Sequence, residues 1–414
     1  MILSNKTALV AEKVLRGSCD LLLLMYFANS IGPTEYGKYS LIGLIITILI
    51  SIGKLGYQDL IFKIFAEESG FYNKAIGVLI LRLFAAMLFV FIILVVFLLN
   101  RKLFTFILLI SSSRVVFRSF DFVENFLLIS ESFKQVVIIR FTLMLLSVIF
   151  KLIVIYYFQS WWTMCIAIVF EAMIGALIYF FALKVNPKAG YIRTEGLNLR
   201  SLFLRGVPLL FSSIAVILYM KLDQVVISYY LGNESLGIYS VAVRLIDFLL
   251  VIPVVLTNLN SSLLFIKEHA FARDKFVVRY LLMGLLLSLG IYFCSGELVG
   301  TILGEEFEKS QMILRVMSLT VPFVFIGVLN SKLLINQGML KDLRNRSYVG
   351  LFSNVILSIA LLHWFGLVGV AVATLLTQII VTVLWDIFNT HTRFLHLYRL
   401  DLFKAFLRQI GNGG

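Results

Sequence analysis

The stretch LGNESLGIYSVAVRLID, residues 231–247, decides how this chain is organised, because IGPTEYGKYSLI, residues 31–42, reads almost the same 200 positions earlier. Gly32 matches Gly232, Gly37 matches Gly237, Tyr39 matches Tyr239 and Ser40 matches Ser240. A repeat at that separation in a chain of 414 residues predicts two halves built alike, each carrying the GxxxxGxYS element at the same place.

Composition says what the halves are made of. The chain is 60% hydrophobic and 14% charged, with a mean hydropathy of +0.98, whereas soluble domains carry roughly 25% charged residues. It reads as an integral membrane protein. Its apolar runs recur at about the 20 residues a helix needs to cross hydrocarbon, not at the roughly 9–11 of a barrel strand. Twelve spans are expected, at 9–29, 39–58, 76–99, 104–128, 136–158, 162–183, 201–230, 238–263, 280–296, 311–337, 348–363 and 366–388. They divide into a six-helix bundle over 1–183, a cytoplasmic linker over 184–200, a second bundle over 201–388 and a basic amphipathic tail over 389–414. The tail is expected to lie on the membrane surface. Because six is even, both bundles run the same way. The expected fold is an all-α membrane protein with a parallel internal repeat around a central cationic cavity, an architecture for alternating access.

Chemistry-bearing motifs are scarce. The segment KTALVAEKVLRGSCD ahead of the first apolar run is too polar for a signal core, so the first helix is expected to stay. Cys19, Cys165 and Cys294 stand at spacings that suggest neither a metal site nor a disulfide framework. His269, His363, His391 and His396 form no metal-ligand cluster or nucleophile pair, and there is no P-loop. The expectation is a protein that is not an enzyme and takes no cofactor or metal.

The net charge of +13 is distributed unevenly. Nineteen Lys and Arg residues fall on the termini and the connections of one side and four on the other, which places both termini in the cytoplasm. Those loop charges serve topology and contact with anionic lipid, and no nucleic-acid partner is expected. The remaining thirteen lie in or near spans, among them Arg82, Arg140 and Lys151. An unpaired charge near the bilayer centre costs at least about 2.5 kcal/mol, so such side chains must face protein, water or headgroups. Acidic residues in the spans are fewer: Asp20, Asp121, Glu124, Glu171, Asp223 and Asp247. Arg118 and Asp121 are three apart on one helical face, as are Arg244 and Asp247, and are expected to pair. Lys221 and Asp223, two apart, are poor partners. The surplus is positive, which suits an anionic cargo such as phosphate or diphosphate. Structural ion pairing between helices is the alternative for any one of these residues.

Two spans carry polar faces. In TFILLISSSRVVFRSFDFVENFLLI, residues 105–129, Ser111, Ser112, Arg114, Arg118, Asp121, Glu124 and Asn125 recur at helical spacing and predict a cavity-lining face. The seventh span carries Ser212, Ser213, Tyr219, Lys221, Asp223 and Gln224. Pro208, Pro253 and Pro322 are expected to bend their helices.

These segments also resemble a known family. Residues 31–67, IGPTEYGKYSLIGLIITILISIGKLGYQDLIFKIFAE, are similar to the first periplasmic turn and second helix of polysaccharide flippases of Wzx type, within the multidrug/oligosaccharidyl-lipid/polysaccharide exporter superfamily. In that pattern Gly56 and Lys63 take the places of a later glycine and a basic position. Residues 208–247 resemble it further through Pro208, Tyr219, Asp223, Gly232, Gly237, Tyr239, Ser240 and Arg244, and HWFGLVGVAVATLLTQ, 363–378, through Gly366, Gly369 and Ala371. The resemblance implies translocation of undecaprenyl-diphosphate-linked oligosaccharide repeat units across the bacterial inner membrane, for O-antigen, capsule or exopolysaccharide synthesis. It makes Arg16, Arg114, Arg118, Lys221 and Arg244 candidates for the diphosphate. Asp20, Asp121, Asp223 and Asp247 become candidates for ion coupling or for holding those cations. Trp161, Trp162 and Tyr219 are candidates to stack on sugars. Anionic lipid, a polysaccharide polymerase and a chain-length regulator are the implied partners. Twelve spans rather than fourteen depart from the flippases of lipid-linked peptidoglycan precursors. The rival readings are an ion-coupled multidrug exporter, which would want an acidic cavity, and a polymerase or scaffold of polysaccharide assembly. A polymerase would want a large outward loop, and the longest expected here is 297–310.

Overall fold

The computed structural model describes residues 2–56, 71–129, 132–185, 199–260, 264, 270–399 and 401–402. Asp59 and Lys63, most of the linker and the tail beyond 402 lie outside the described residues, as do the side chains of Arg205, Pro208, Ser212 and Ser213.

Among the described residues the chain is helical, with no strand. In chain order the helices are α1 (Ile2–Gly53), α2 (Phe71–Asn100), α3 (Leu103–Phe117), α4 (Phe122–Ile129), α5 (Phe133–Phe158) and α6 (Trp161–Val185). There follow α7 (Leu199–Leu249), α8 (Val251–Leu259), α9 (Ala270–Ile302), α10 (Lys309–Ser318), α11 (Val321–Asn336), α12 (Leu340–Ile379) and α13 (Trp385–Phe388). Eight described helical segments are long and apolar enough to cross a membrane. Three of them are two arms joined through a glycine: Ala11–Gly53 at Gly32, Val216–Leu259 at Gly232 and Lys341–Phe388 at Gly366. Counting those arms separately gives eleven, and the pair α10 and α11, bent by 42°, makes a twelfth. This is a multi-pass membrane protein.

The repeated sequence is a repeated backbone turn. Gly32 has φ 76°, ψ 170° and Gly232 has φ 79°, ψ −173°, a region that is essentially glycine-only because a Cβ collides with the flanking carbonyl. The residues that follow are spent on packing in both copies: Tyr39 and Tyr239 are buried, as are Ser40 and Ser240. Two of the three prolines stand at bends: Pro322 just past the 42° bend between α10 and α11, and Pro253 three residues past the break between α7 and α8. Within α7 the break is at Gly232, 24 positions beyond Pro208. Pro253 and Pro322 stand in the first turns of α8 and α11, where a missing N–H interrupts no helical bond.

The chain forms two compact units, Met1–Leu218 and Tyr219–Gly414, so the division falls inside α7. In unit 1, α1 packs on α3, α5 and α6, while α2 packs on α3. Outward faces such as Phe84, Leu99 and Tyr156 are exposed, as lipid contact requires. In unit 2, the Tyr280 ring packs at a tilt on Phe325, 4.9 Å between ring centres, and its hydroxyl donates to the Phe325 carbonyl at 2.9 Å. Ser310 donates to the carbonyl of Ile238 at 2.7 Å. The first part of the tail, a helix over 393–399, is docked on this unit: Leu395 is buried, and Tyr398 donates to Asp274 at 2.6 Å. Burial pushes the Tyr398 phenol up to about 12, so it keeps the proton it donates.

Candidate functional site

Unit 1 encloses a cavity of about 170 Å³. Its wall carries four cations, Arg16, Lys54, Arg82 and Arg118, and four carboxylates, Asp20, Asp121, Glu124 and Glu171. The amphipathic face predicted for 105–129 delivers the last turns of this set, because α3 gives way to a tighter turn at Arg118–Asp121 before α4. That turn puts Arg118 Nη1 3.4 Å from Asp121 Oδ2, with Glu171 at 4.0 Å from Nη2.

Most of the charge is paired across helices. Arg140 on α5 bridges Glu12 on α1, at 3.4 Å, and Glu124 on α4, which also accepts from Tyr179 at 2.6 Å. Lys151 bridges Asp20 at 2.7 Å and Glu171 at 2.9 Å, and Ser147 donates to Glu171 at 2.8 Å. Arg16 meets Glu12 at 2.9 Å and donates to the carbonyl of Arg140 at 3.1 Å. Such a network spares each ion the several kcal/mol (about that order) that removal from water costs an isolated charge. Among the described residues, Arg16, Lys54, Arg82, Arg114, Arg118, Arg140 and Lys151 are seven cations against five carboxylates, Glu12, Asp20, Asp121, Glu124 and Glu171. The wall itself is balanced; the surplus of two comes from residues behind it.

The predicted residues divide between the units. Arg16, Asp20, Arg118 and Asp121 share the cavity wall of unit 1. Arg114, one turn before Arg118, is set back from the wall beside Arg118, and its Nε is buried without a hydrogen-bond partner. Lys221, Asp223, Arg244 and Asp247 belong to unit 2. There Lys221 pairs with Asp247 at 3.0 Å, not with Asp223. Asp223 is buried and accepts from the Tyr239 hydroxyl at 2.6 Å and from the Gln224 N–H at 2.8 Å. Arg244 is exposed on α7. Of the aromatic candidates, Trp161 is buried in a stack with Phe104 at 6.0 Å, and Trp162 is exposed.

Sequence reasoning missed Glu12 entirely, and it treated Arg346 and Arg399 as loop charges. Both arginines are held in unit 2. Arg346 donates to Ser331 at 2.6 Å and to the carbonyl of Gly327 at 3.2 Å. Arg399, from the tail helix, donates to Asp386 at 2.9 Å and to Asn330 at 3.1 Å. Burial pulls the Arg399 guanidinium below its ordinary value, against the pull of Asp386. A carboxylate buried near the end of an apolar run, as Asp386 is, was the available signal for a late cationic partner.

Set against known proteins, residues 3–265 match the sequence profile of the family described as polysaccharide biosynthesis protein. The chain belongs to that family. Its match to the "Putative O-antigen transporter" of Shigella dysenteriae is 23% identical over 214 residues, 50% of this chain and 54% of that protein. The chain thus aligns with about half the length of this relative. Among solved structures, it is similar to the lipid II flippase MurJ in an inward closed conformation, with a TM-score of 0.72, 16% identity and coverage of 99% of this chain and 93% of that one. It is also similar to an inward-facing multidrug resistance transporter of the MATE family, with a TM-score of 0.71, 14% identity and coverage of 94% and 96%. At these identities the structures speak for the fold alone: this polysaccharide biosynthesis protein has the all-α fold of those two structures.

Proposed function

We propose that this polysaccharide biosynthesis protein flips undecaprenyl-diphosphate-linked oligosaccharide repeat units from the cytoplasmic to the periplasmic face of the bacterial inner membrane, and is not an enzyme. One observation supports this reading above the others: a cavity within a membrane-spanning bundle whose wall of four cations and four carboxylates is backed, among the described residues, by three further cations and one carboxylate. A diphosphate diester carries one negative charge on each phosphorus, so a surplus of two matches it. Guanidinium and ammonium groups are its natural donors. A multidrug exporter working on cations would favour the opposite balance.

Of the four aspartates expected to couple ions, Asp20, Asp121 and Asp247 are each taken by a cation. Asp223 is held instead by a hydroxyl and a backbone N–H, and it is the one we assign to exchange of a proton or small cation. The excess of basic residues on one set of connections supports cytoplasmic termini. Anionic lipid, the polymerase and the chain-length regulator complete the set of partners in this reading.

The test is reconstitution. Proteoliposomes holding the full chain and a fluorescent undecaprenyl-diphosphate-linked oligosaccharide are treated with an impermeant quencher. Flipping exposes label from the inner leaflet and carries quenching well past half. Quenching that stops at the level of protein-free vesicles sinks the proposal.

A further inference from the structure

Resting on that reading, we infer that the anion-receiving cation of unit 1 is Arg82, with Arg114 behind it, and that Arg16 and Arg118 are structural. Arg82 stands on α2, lines the cavity and is only 3% exposed. Its Nε is sealed from solvent without a hydrogen-bond partner, as are those of Arg114 and Arg16, but Arg16 also holds Glu12 at 2.9 Å. Asp121 is the carboxylate whose field reaches Arg82, and Asp121 is already bonded to Arg118.

The contrast with the neighbouring cations is chemical. Arg16, Arg118, Arg140 and Lys151 each hold at least one carboxylate within 4.0 Å. An anion arriving at any of them must displace a bound carboxylate. A guanidinium has five N–H donors and no acceptor, and burying one without an acceptor opposes folding. At Arg82 the Nε carries that cost, and a diphosphate oxygen bonded there removes it. Arg114 is set one layer back, next to Arg118, and its positive field adds to the attraction without a place on the wall. Arg82 and Arg114 are thus two guanidiniums outside the ion pairs that hold Arg16, Arg118, Arg140 and Lys151.

This assignment predicts opposite signs for stability and binding, which a structural arginine does not. Thermal unfolding and calorimetric binding of inorganic pyrophosphate are measured on the full chain in lipid nanodiscs. The comparison covers wild type, Arg82→Met, Arg82→Lys and the exposed surface control Lys134→Gln. Arg82→Met is expected to unfold at a higher temperature than wild type while binding pyrophosphate at least tenfold more weakly; Arg82→Lys is expected to retain part of the binding, and Lys134→Gln to match wild type. In the reconstituted assay Arg82→Met is expected to flip at least tenfold more slowly. Arg82→Met that unfolds earlier and binds pyrophosphate as wild type overturns the assignment, as does equal weakening by Lys134→Gln. Flipping by wild type and Arg82→Met at equal rates overturns the assignment and leaves the flippase reading standing; no flipping by wild type removes the reading itself.

Discussion

Gly32 and Gly232, 200 positions apart, hold the same backbone conformation to within a few degrees in φ, at 76° and 79°. Each breaks a long helix into two spans, and each is followed by a buried Tyr-Ser pair. The Cβ of an alanine at 232 would meet nothing within 4 Å, so the demand for glycine there is one of dihedral angle alone. Gly232→Ala is expected to destabilise the protein by about 1–3 kcal/mol, the cost of holding a non-glycine residue in this region. Gly43→Ala, inside α1 and equally uncrowded, is expected to be neutral or to stabilise by a few tenths to about 1 kcal/mol. Thermal melts of the two variants in one detergent check the pair; equal melting temperatures would contradict the account.

At the third glycine junction the demand is steric. A Cβ on Gly369 would lie 2.1 Å from the backbone carbonyl oxygen of Leu361, across the bend at Gly366. Backbone has nowhere to go, so Gly369→Ala is expected to cost more than Gly284→Ala, whose Cβ meets the Phe325 ring at 2.8 Å. Overpacking against a ring costs about 1–3 kcal/mol. Gly369→Ala should exceed that range and lower the yield of folded protein in fluorescence-detected size-exclusion chromatography.

Arg140 ties three helices together through Glu12 and Glu124. Removing it leaves Glu12, 4% exposed, with Arg16 alone and leaves Glu124 with the Tyr179 hydroxyl and no cation bonded to it. Arg140→Ala is expected to lose about 3–5 kcal/mol, as breaking a buried pair does. The triple variant Glu12→Gln, Glu124→Gln, Arg140→Met should recover most of it. Chemical unfolding of the single and triple variants makes the comparison, and an equally unstable triple variant would refute the pairing argument.

The tail helix is fastened by Arg399 to Asp386, whose side chain is 0% exposed. Arg399→Ala is expected to cost about 3–5 kcal/mol and to open residues 393–402 to limited proteolysis. Arg399→Lys should rescue only in part, because a single ammonium cannot reproduce the forked contact to Asp386 and Asn330.

Much of the fold was legible because it follows from short-range rules. Apolar runs of bilayer length marked twelve spans, and the glycine repeat marked where two of the breaks fall. The site was legible only as an inventory. Spacing on one helix found Arg118 with Asp121, but nothing local says that Arg140 meets Glu12, 128 residues away, or that Lys151 meets Asp20. Whether a buried cation is paired is decided by neighbouring helices, and periodicity on one helix holds no record of them. For the same reason Lys221 took Asp247 as its partner across the glycine turn, and Arg399 could be mistaken for a loop charge.

The most direct test of the central claim is made in the host. Cells lacking this gene are assayed for undecaprenyl-diphosphate-linked oligosaccharide on each face of the inner membrane, with wild type or Arg82→Met supplied in trans. The account predicts accumulation on the cytoplasmic face, cleared by wild type and not by Arg82→Met. Lipid-linked units that reach the periplasm normally in the deletion strain and stay unpolymerised there would contradict it.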